Sequence, residues 1–141
     1  MILYLDTSAL VKVYVDEKGS EQVMARVTAV GEVATSVVAY AEARAAFARH
    51  FREKRLDKSQ LRSVVRNLDD DWSKYTVVDV VDSVALRAGA LAARFALRGF
   101  DAIHLATAVQ LRTEGLRVEF GCFDERLLEA AKRARLRLLA A

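Results

Sequence analysis

Four acidic residues stand where surface charge does not easily explain them: Asp6, Glu42, Asp101 and Asp124. Asp6 closes the apolar run Ile2-Leu3-Tyr4-Leu5, and Asp124 follows a second strand-like run over residues 118–123. An Asp at a strand-to-helix junction is also a favoured helix cap, and either acid could be only that. Glu42 has Val38, Ala39, Ala45 and Ala46 as its same-face helical neighbours, all apolar, so it points inward or into a cleft. A carboxylate buried there is costly unless paired or coordinated, and a salt bridge to a core arginine is the plain alternative. Asp101 opens an apolar helix in which Leu105 and Ala108 continue the buried face. In a first turn it would gain ~0.3–1 kcal/mol from the helix dipole, so capping again competes with chemistry. His104, three residues on, could act as a base, although a hydrogen-bonded structural place suits so apolar a helix better. The consecutive Asp69, Asp70 and Asp71 fan outward around a helix end as a solvated cluster, and Asp82 reads as a plain cap.

Two carboxylates ~4 Å apart repel by about 4 kcal/mol at an effective dielectric of 20. A converging set of four is therefore poor as pure structure and good as a cation trap. With one cysteine and two histidines, no zinc cluster can form, and oxygen ligands suit Mg²⁺, with Mn²⁺ a plausible substitute. The chemistry such a site serves is phosphodiester hydrolysis by metal-activated water.

Elements able to gather these acids are legible. Strands are expected over residues 2–5, 32–35, 76–80, 118–123 and 136–139. Helices are expected from residue 8 or 9 to 15, and over 21–30, 37–54, 58–72, 83–97, 101–113 and 124–134, with Ser36 capping the third. Strands alternating with helices and no hairpin signals predict a three-layer α/β fold with a parallel sheet of four to five strands. The helices over 37–54 and 58–72 would protrude as a hairpin. Sites in such sheets lie beyond the carboxyl ends of the strands, where Asp6 and Asp124 fall.

The 141 residues are 53% apolar, enough for one core, so residues 1–141 are expected to form a single domain. No unbroken apolar run exceeds five residues, against the roughly 20 a membrane span needs. The N-terminus has no basic region before Asp6, and Cys122 has no partner for a disulfide; a cytoplasmic location is the simplest expectation. Residues 1–43 carry three basic and six acidic side chains, and residues 44–62 carry seven and two. An acidic region beside a basic one suits a protein that holds a cation and touches a polyanion, although a mixed solvated surface would look similar.

Three segments appear together in a fixed order: Leu5-Asp6-Thr7-Ser8-Ala9-Leu10-Val11-Lys12, then Ser36 and Glu42, then Phe100-Asp101-Ala102-Ile103-His104-Leu105-Ala106-Thr107-Ala108. They are followed by Phe123-Asp124-Glu125-Arg126-Leu127. In this the chain resembles PIN-domain ribonucleases, specifically VapC-type toxins of type II toxin–antitoxin systems, along essentially its whole length. The resemblance implies a PIN-like fold and a Mg²⁺-dependent endoribonuclease with Asp6, Glu42, Asp101 and Asp124 as the acidic pocket. Asp6 and Asp101 match the metal-binding positions; Glu42 would complete the set or orient the attacking water, and Asp124 would support a second ion. Thr7 or Ser8 could hydrogen-bond a ligand water or the scissile phosphate. Cys122 departs from the pattern, since many members have threonine there. The family also implies an RNA substrate, a cognate antitoxin held by the helical hairpin, and pairing as a homodimer. The basic run Arg44, Arg49, Arg52, Lys54 and Arg55 would alternatively guide RNA.

Two other classes compete. A non-catalytic PIN-fold module binding RNA or protein would keep the fold without turnover. Aspartate-based phosphotransfer also begins with an Asp after the first strand, but haloacid-dehalogenase-type phosphatases need an Asp where Ser8 stands. Receiver domains need early adjacent acids, where this chain has Leu3-Tyr4-Leu5.

Overall fold

The computed structural model describes residues 1–139. Among these, five strands form one parallel sheet in the order β3-β2-β1-β4-β5. The strands are β1 (Ile2–Leu5), β2 (Val33–Ser36), β3 (Thr76–Val78), β4 (Val118–Gly121) and β5 (Arg137–Leu138). The helices are α1 (Thr7–Tyr14), α2 (Ser20–Val30), α3 (Val38–Arg52), α4 (Lys58–Trp72), α5 (Asp82–Phe95), α6 (Gly99–Thr113) and α7 (Glu125–Arg133). The PIN-like three-layer architecture expected from the sequence is the one observed.

Alternation along the strands divides the core in two. Leu3 and Leu5 face α1 to α4, packing with Leu10, Val23, Phe47 and Leu68. Ile2 and Tyr4 face α5 to α7, packing with Leu105, Phe120 and Leu127. The central strand is buried on both faces, which is why it reads as an uninterrupted apolar run. Gly121 lets β1 and β4 close tightly: a Cβ there would lie 2.9 Å from Leu5 Cδ2. The Asp6 amide then donates to the Gly121 carbonyl at 3.0 Å, extending the pairing to the acid itself.

Several boundaries differ from expectation, each for a local reason. Helix α3 begins at Val38, because Ser36 completes β2 and its hydroxyl accepts the Val38 amide from there at 3.3 Å. It ends at Arg52, before Lys54 turns to φ 62°. Asp82 is the first residue of α5 and not its cap. The break after α5 comes at Ala96 (φ 54°), and Gly99 opens α6, so Asp101 lies within the first turn and not at its start. The hairpin's second helix is closed by a reciprocal capping box, Asp57 with Gln60, at 2.8 Å in each direction. The Asp69–Asp71 cluster is solvated as expected at Asp69 and Asp70, which are exposed, while Asp71 is half-buried; Asp71 accepts the Tyr14 hydroxyl at 2.8 Å and Asp69 that of Tyr40 at 2.5 Å. No described helix is long and apolar enough to cross a membrane.

Candidate metal centre and active site

The chain leaves β1 for the β2–β3 side of the sheet and returns on the other side as β4, so the order of strand addition reverses between β1 and β4. Ligand crevices in open parallel sheets form at that point, beyond the strand ends. Asp6 follows β1 and Asp124 comes three residues after β4, one on each side of it.

Asp6 is 3% exposed and caps α1, its Oδ1 accepting the Ala9 amide at 2.9 Å and the Ser8 hydroxyl at 2.7 Å. Both bonds reach the same oxygen, which leaves Oδ2 for another partner. Burial raises its pKa from 3.8 to about 6, and the negative charge of Asp101 pushes the same way. The His104 ring, the Ala9 amide and the Ser8 hydroxyl offset only part of that. Among the described residues no basic side chain lies within ion-pair distance of Asp6. The Ser8 hydroxyl also accepts the Phe123 amide at 3.2 Å, stitching the end of β1 to the approach to Asp124.

Glu42 reaches the site from the second turn of α3. Its Oε1 accepts the Thr7 hydroxyl at 2.5 Å and stands 3.0 Å from His104 Nε2. Partial burial pushes its pKa up, but the hydrogen bonds from His104 and Thr7 outweigh that and hold it below the ordinary value. The inward reading of Glu42 therefore stands, with a histidine as partner where a core arginine was the alternative. Thr7 and Ser8 both direct their hydroxyl hydrogens at carboxylates, so in this structure they act through the acids.

Asp101 lies between two hollows. One, about 510 Å³, is lined by Glu42, Arg98, Gly99, Phe100, Asp101 and Ile103. The other, about 470 Å³, is lined by Arg98, Asp101, Asp124, Glu125 and Arg126. Asp101 Oδ2 lies 3.4 Å from Arg98 Nε, a loose pair whose guanidinium side is 82% exposed. Asp124 caps α7, its Oδ2 accepting the Leu127 amide at 3.0 Å. The charges of Asp6, Asp124 and Asp101 all bear on the Cys122 thiol, whose pKa is raised by burial first and by these three acids next. Cys122 is thus a neutral, buried packing residue under the acidic end of the sheet.

The four acids share one end of the molecule, Asp101 standing between Glu42 and Asp124. They do not close into a set: among the described residues no three His, Cys, Asp or Glu side chains are placed to hold a metal ion. The donor chemistry nonetheless fits a hard divalent cation, since the site offers carboxylate oxygens and holds the Asp6 carboxylate, 3% exposed, without an ion-pair partner among the described residues. Sequence reasoning passed over Tyr4, whose hydroxyl lies 2.8 Å from His104 Nδ1, and Arg98. The signal for Tyr4 was its place two residues before Asp6, near the end of β1; for Arg98 it was its place three residues before Asp101.

Residues 3–133 match the PIN domain. Ribonuclease VapC45 of Mycobacterium tuberculosis (strain CDC 1551 / Oshkosh) is 36% identical over 140 residues, spanning 99% of this chain and 96% of that protein. Ribonuclease VapC49 of M. tuberculosis (strain ATCC 25618 / H37Rv) matches with the same figures. Among solved structures, VapBC2 from Rickettsia felis bound to a DNA fragment from its promoter superposes with TM-score 0.68 at 17% identity, over 98% of this chain and 97% of that one. The chain belongs to the PIN-domain family. Within it, the curated proteins it is similar to are VapC ribonucleases.

Proposed function

We propose that this protein is a Mg²⁺-dependent endoribonuclease and the toxin half of a toxin–antitoxin pair, with Mn²⁺ able to replace Mg²⁺. The observation that carries the reading is Asp6: a carboxylate buried where the order of strand addition reverses, raised to about 6, facing Asp101 and lacking an ion-pair partner among the described residues. Kinship with VapC ribonucleases over 99% of the chain supports RNA as the polymer cleaved.

Asp6 and Asp101 would hold the ion, with Glu42 completing the set and Asp124 supporting a second one. Bound there, a divalent cation lowers the pKa of a water and neutralises charge on the scissile phosphate. Glu42, ionised at neutral pH and facing the cleft, orients the attacking water and accepts its proton. Ser8 and the Ala9 amide fix the Asp6 carboxylate, and Thr7 fixes Glu42. Arg98 and Arg126 line the approach and suit the phosphates of a single strand, while Phe100, 56% exposed beside Asp101, offers a ring face to an unstacked base.

The antitoxin would lie along the α3–α4 hairpin, where Arg44, Leu61, Arg62, Val65, Arg66 and acids of α4 line a hollow of about 570 Å³. The R. felis neighbour is named VapBC2, bound to a DNA fragment from its promoter, which supports a partner of that kind. The exposed apolar residues of α5 and its N-cap, Leu86 at 77% and Val81 at 54%, would serve a homodimer. A cytoplasmic single-domain protein fits these roles.

Cleavage of RNA oligonucleotides with Mg²⁺, with EDTA, and by Asp101→Asn tests the reading. Activity is expected only in the first; undiminished cleavage in either of the others rejects it. One observation favours a second reading, a non-catalytic module: the acids do not close into a metal-holding trio. Calorimetry separates the two, since an inert module would bind neither Mg²⁺ nor Mn²⁺.

A further inference from the structure

A buried chain of hydrogen bonds runs from the centre of the sheet to the cleft. Tyr4 Oη lies 2.8 Å from His104 Nδ1, and His104 Nε2 lies 3.0 Å from Glu42 Oε1 and 3.2 Å from Thr7 Oγ1. His104 is 1% exposed, and Tyr4 is fully buried. For a neutral imidazole every hydrogen in the chain can be assigned. An ionised Glu42 only accepts, so Nε2 carries the ring hydrogen; Nδ1 is then a bare lone pair, and the phenol donates to it. Thr7 donates to the same Glu42 oxygen at 2.5 Å, so Oε1 is engaged twice and Oε2 is left to the cleft.

The first member of the chain is held firmly. The Tyr4 ring stacks on Phe120 of β4 with centroids 5.6 Å apart and planes 8° from parallel, and it meets the His104 ring edge-on at 5.9 Å. Its hydroxyl is thereby fixed by the two central strands. His104 lies three residues after Asp101 on α6, so one helix carries both a proposed metal ligand and the donor that aims Glu42. Glu42 itself arrives on α3, an element packed mainly on the opposite face of the sheet.

We infer that Tyr4 and His104 are positioning residues that set the direction of the Glu42 carboxylate, locking α3 in register with Asp101. The inference rests on the nuclease reading for its consequence but not for its geometry. Neither residue touches the reacting atoms; each acts through Glu42.

Two measurements test it. In the metal-free protein at pH 8, ¹⁵N spectra of the two histidine rings should show His104 as a single tautomer, protonated at Nε2 with Nδ1 a bare acceptor. Tyr4→Phe keeps the stacked ring but removes the donor to Nδ1, and should move the Nδ1 resonance toward that of an unbonded lone pair while Glu42 keeps the hydrogen on Nε2. A wild-type ring protonated at Nδ1, or at both nitrogens, overturns the inference, and it does so whether or not the protein cleaves RNA. The second measurement is kinetic and uses Mg²⁺ and an RNA oligonucleotide. His104→Gln places an amide donor near the position of Nε2, whereas His104→Asn places one near Nδ1. His104→Asn should lower kcat about tenfold or more with KM within about twofold, while His104→Gln should stay within about threefold of wild type. Tyr4→Phe should lower kcat about three- to tenfold alone and add nothing in the His104→Gln background. Equal losses in the Gln and Asn variants, or an effect on KM alone, would show a packing role and defeat the inference. Absence of cleavage by wild type would instead count against the nuclease reading, with the tautomer result still deciding the relay.

Discussion

Glu119 on β4 and Asp6 at the end of β1 are both buried acids on adjacent strands, and the chain surrounds them in opposite ways. Glu119 has no exposure, and Arg26 of α2 grips it with both nitrogens, Nε to Oε2 at 2.8 Å and NH2 to Oε1 at 2.9 Å. Arg137 on the neighbouring strand adds a third contact at 3.7 Å. Asp6 has a backbone amide and a hydroxyl but no ion-pair partner among the described residues; burial outweighs the help of the His104 ring, and the charge of Asp101 opposes it. A buried carboxylate needs positive charge. Glu119 gets it from the fold, which makes it structure; Asp6 does not, which leaves it suited to a charge from outside.

The largest expected effect breaks the paired member. Arg26→Met leaves Glu119 buried with only the long Arg137 contact, and a buried charge stripped of its main partner is strongly destabilising. Urea denaturation should show a clearly lower midpoint, while the folded fraction keeps its activity. An unchanged midpoint would mean that Glu119 is solvated and the contrast with Asp6 is false.

Asp6→Asn breaks the unpaired member and should act in the reverse sense. Asn caps a helix as well as Asp, so α1 is kept, but a neutral amide no longer neutralises a cation. Cleavage should fall at least about a hundredfold, close to 3 kcal/mol of transition-state stabilisation. Metal-free stability should rise. An acid whose pKa rises from 3.8 to about 6 on folding holds its proton more tightly in the native state, so stability is lost as pH climbs between those values. By pH 7 the loss is on the order of 3 kcal/mol. The wild type minus Asp6→Asn difference in unfolding free energy should therefore be flat below pH 4, fall from pH 4 to 6, and flatten again. Mg²⁺ should restore the wild type and leave the variant unmoved. A difference that rises with pH would place a counter-charge beside Asp6 after all.

This contrast also marks what the sequence could and could not show. Asp6, Asp101 and Asp124 were readable from position: strand ends and a first helical turn are local properties, and the parallel α/β order follows from alternation. Glu42 was readable from four apolar helical neighbours. Its partner was not, because a histidine on α6 and a glutamate on α3 meet only through packing across the sheet. Nor was Glu119 singled out: an acid inside a strand announces burial only once Arg26, 93 residues away, is known to cover it. The helix starts at Val38 and Gly99 were missed by one or two residues because caps depend on φ and ψ, which residue type only biases.

The smallest expected effect sharpens the comparison at Asp124, where capping and chemistry coincide in one side chain. Its Oδ2 accepts the Leu127 amide, and Glu125, Lys132 and Arg133 already suit the dipole of α7. Asn provides the same acceptor, so Asp124→Asn should change stability by no more than a few tenths of a kcal/mol. Any loss of cleavage then reports charge at the site and not a frayed helix. Asp124 is half-buried at the far side of Asp101, in the hollow away from Glu42, so a role in a second ion would lower cleavage by about tenfold or less, well short of Asp6→Asn. Asp124→Ala is the control that pulls the two functions apart: it removes the cap as well and should lose about 1 kcal/mol of stability with no greater loss of activity per folded molecule. If Asp124→Asn cleaves RNA as wild type does, Asp124 is a cap alone, and the acidic centre reduces to Asp6, Asp101 and Glu42.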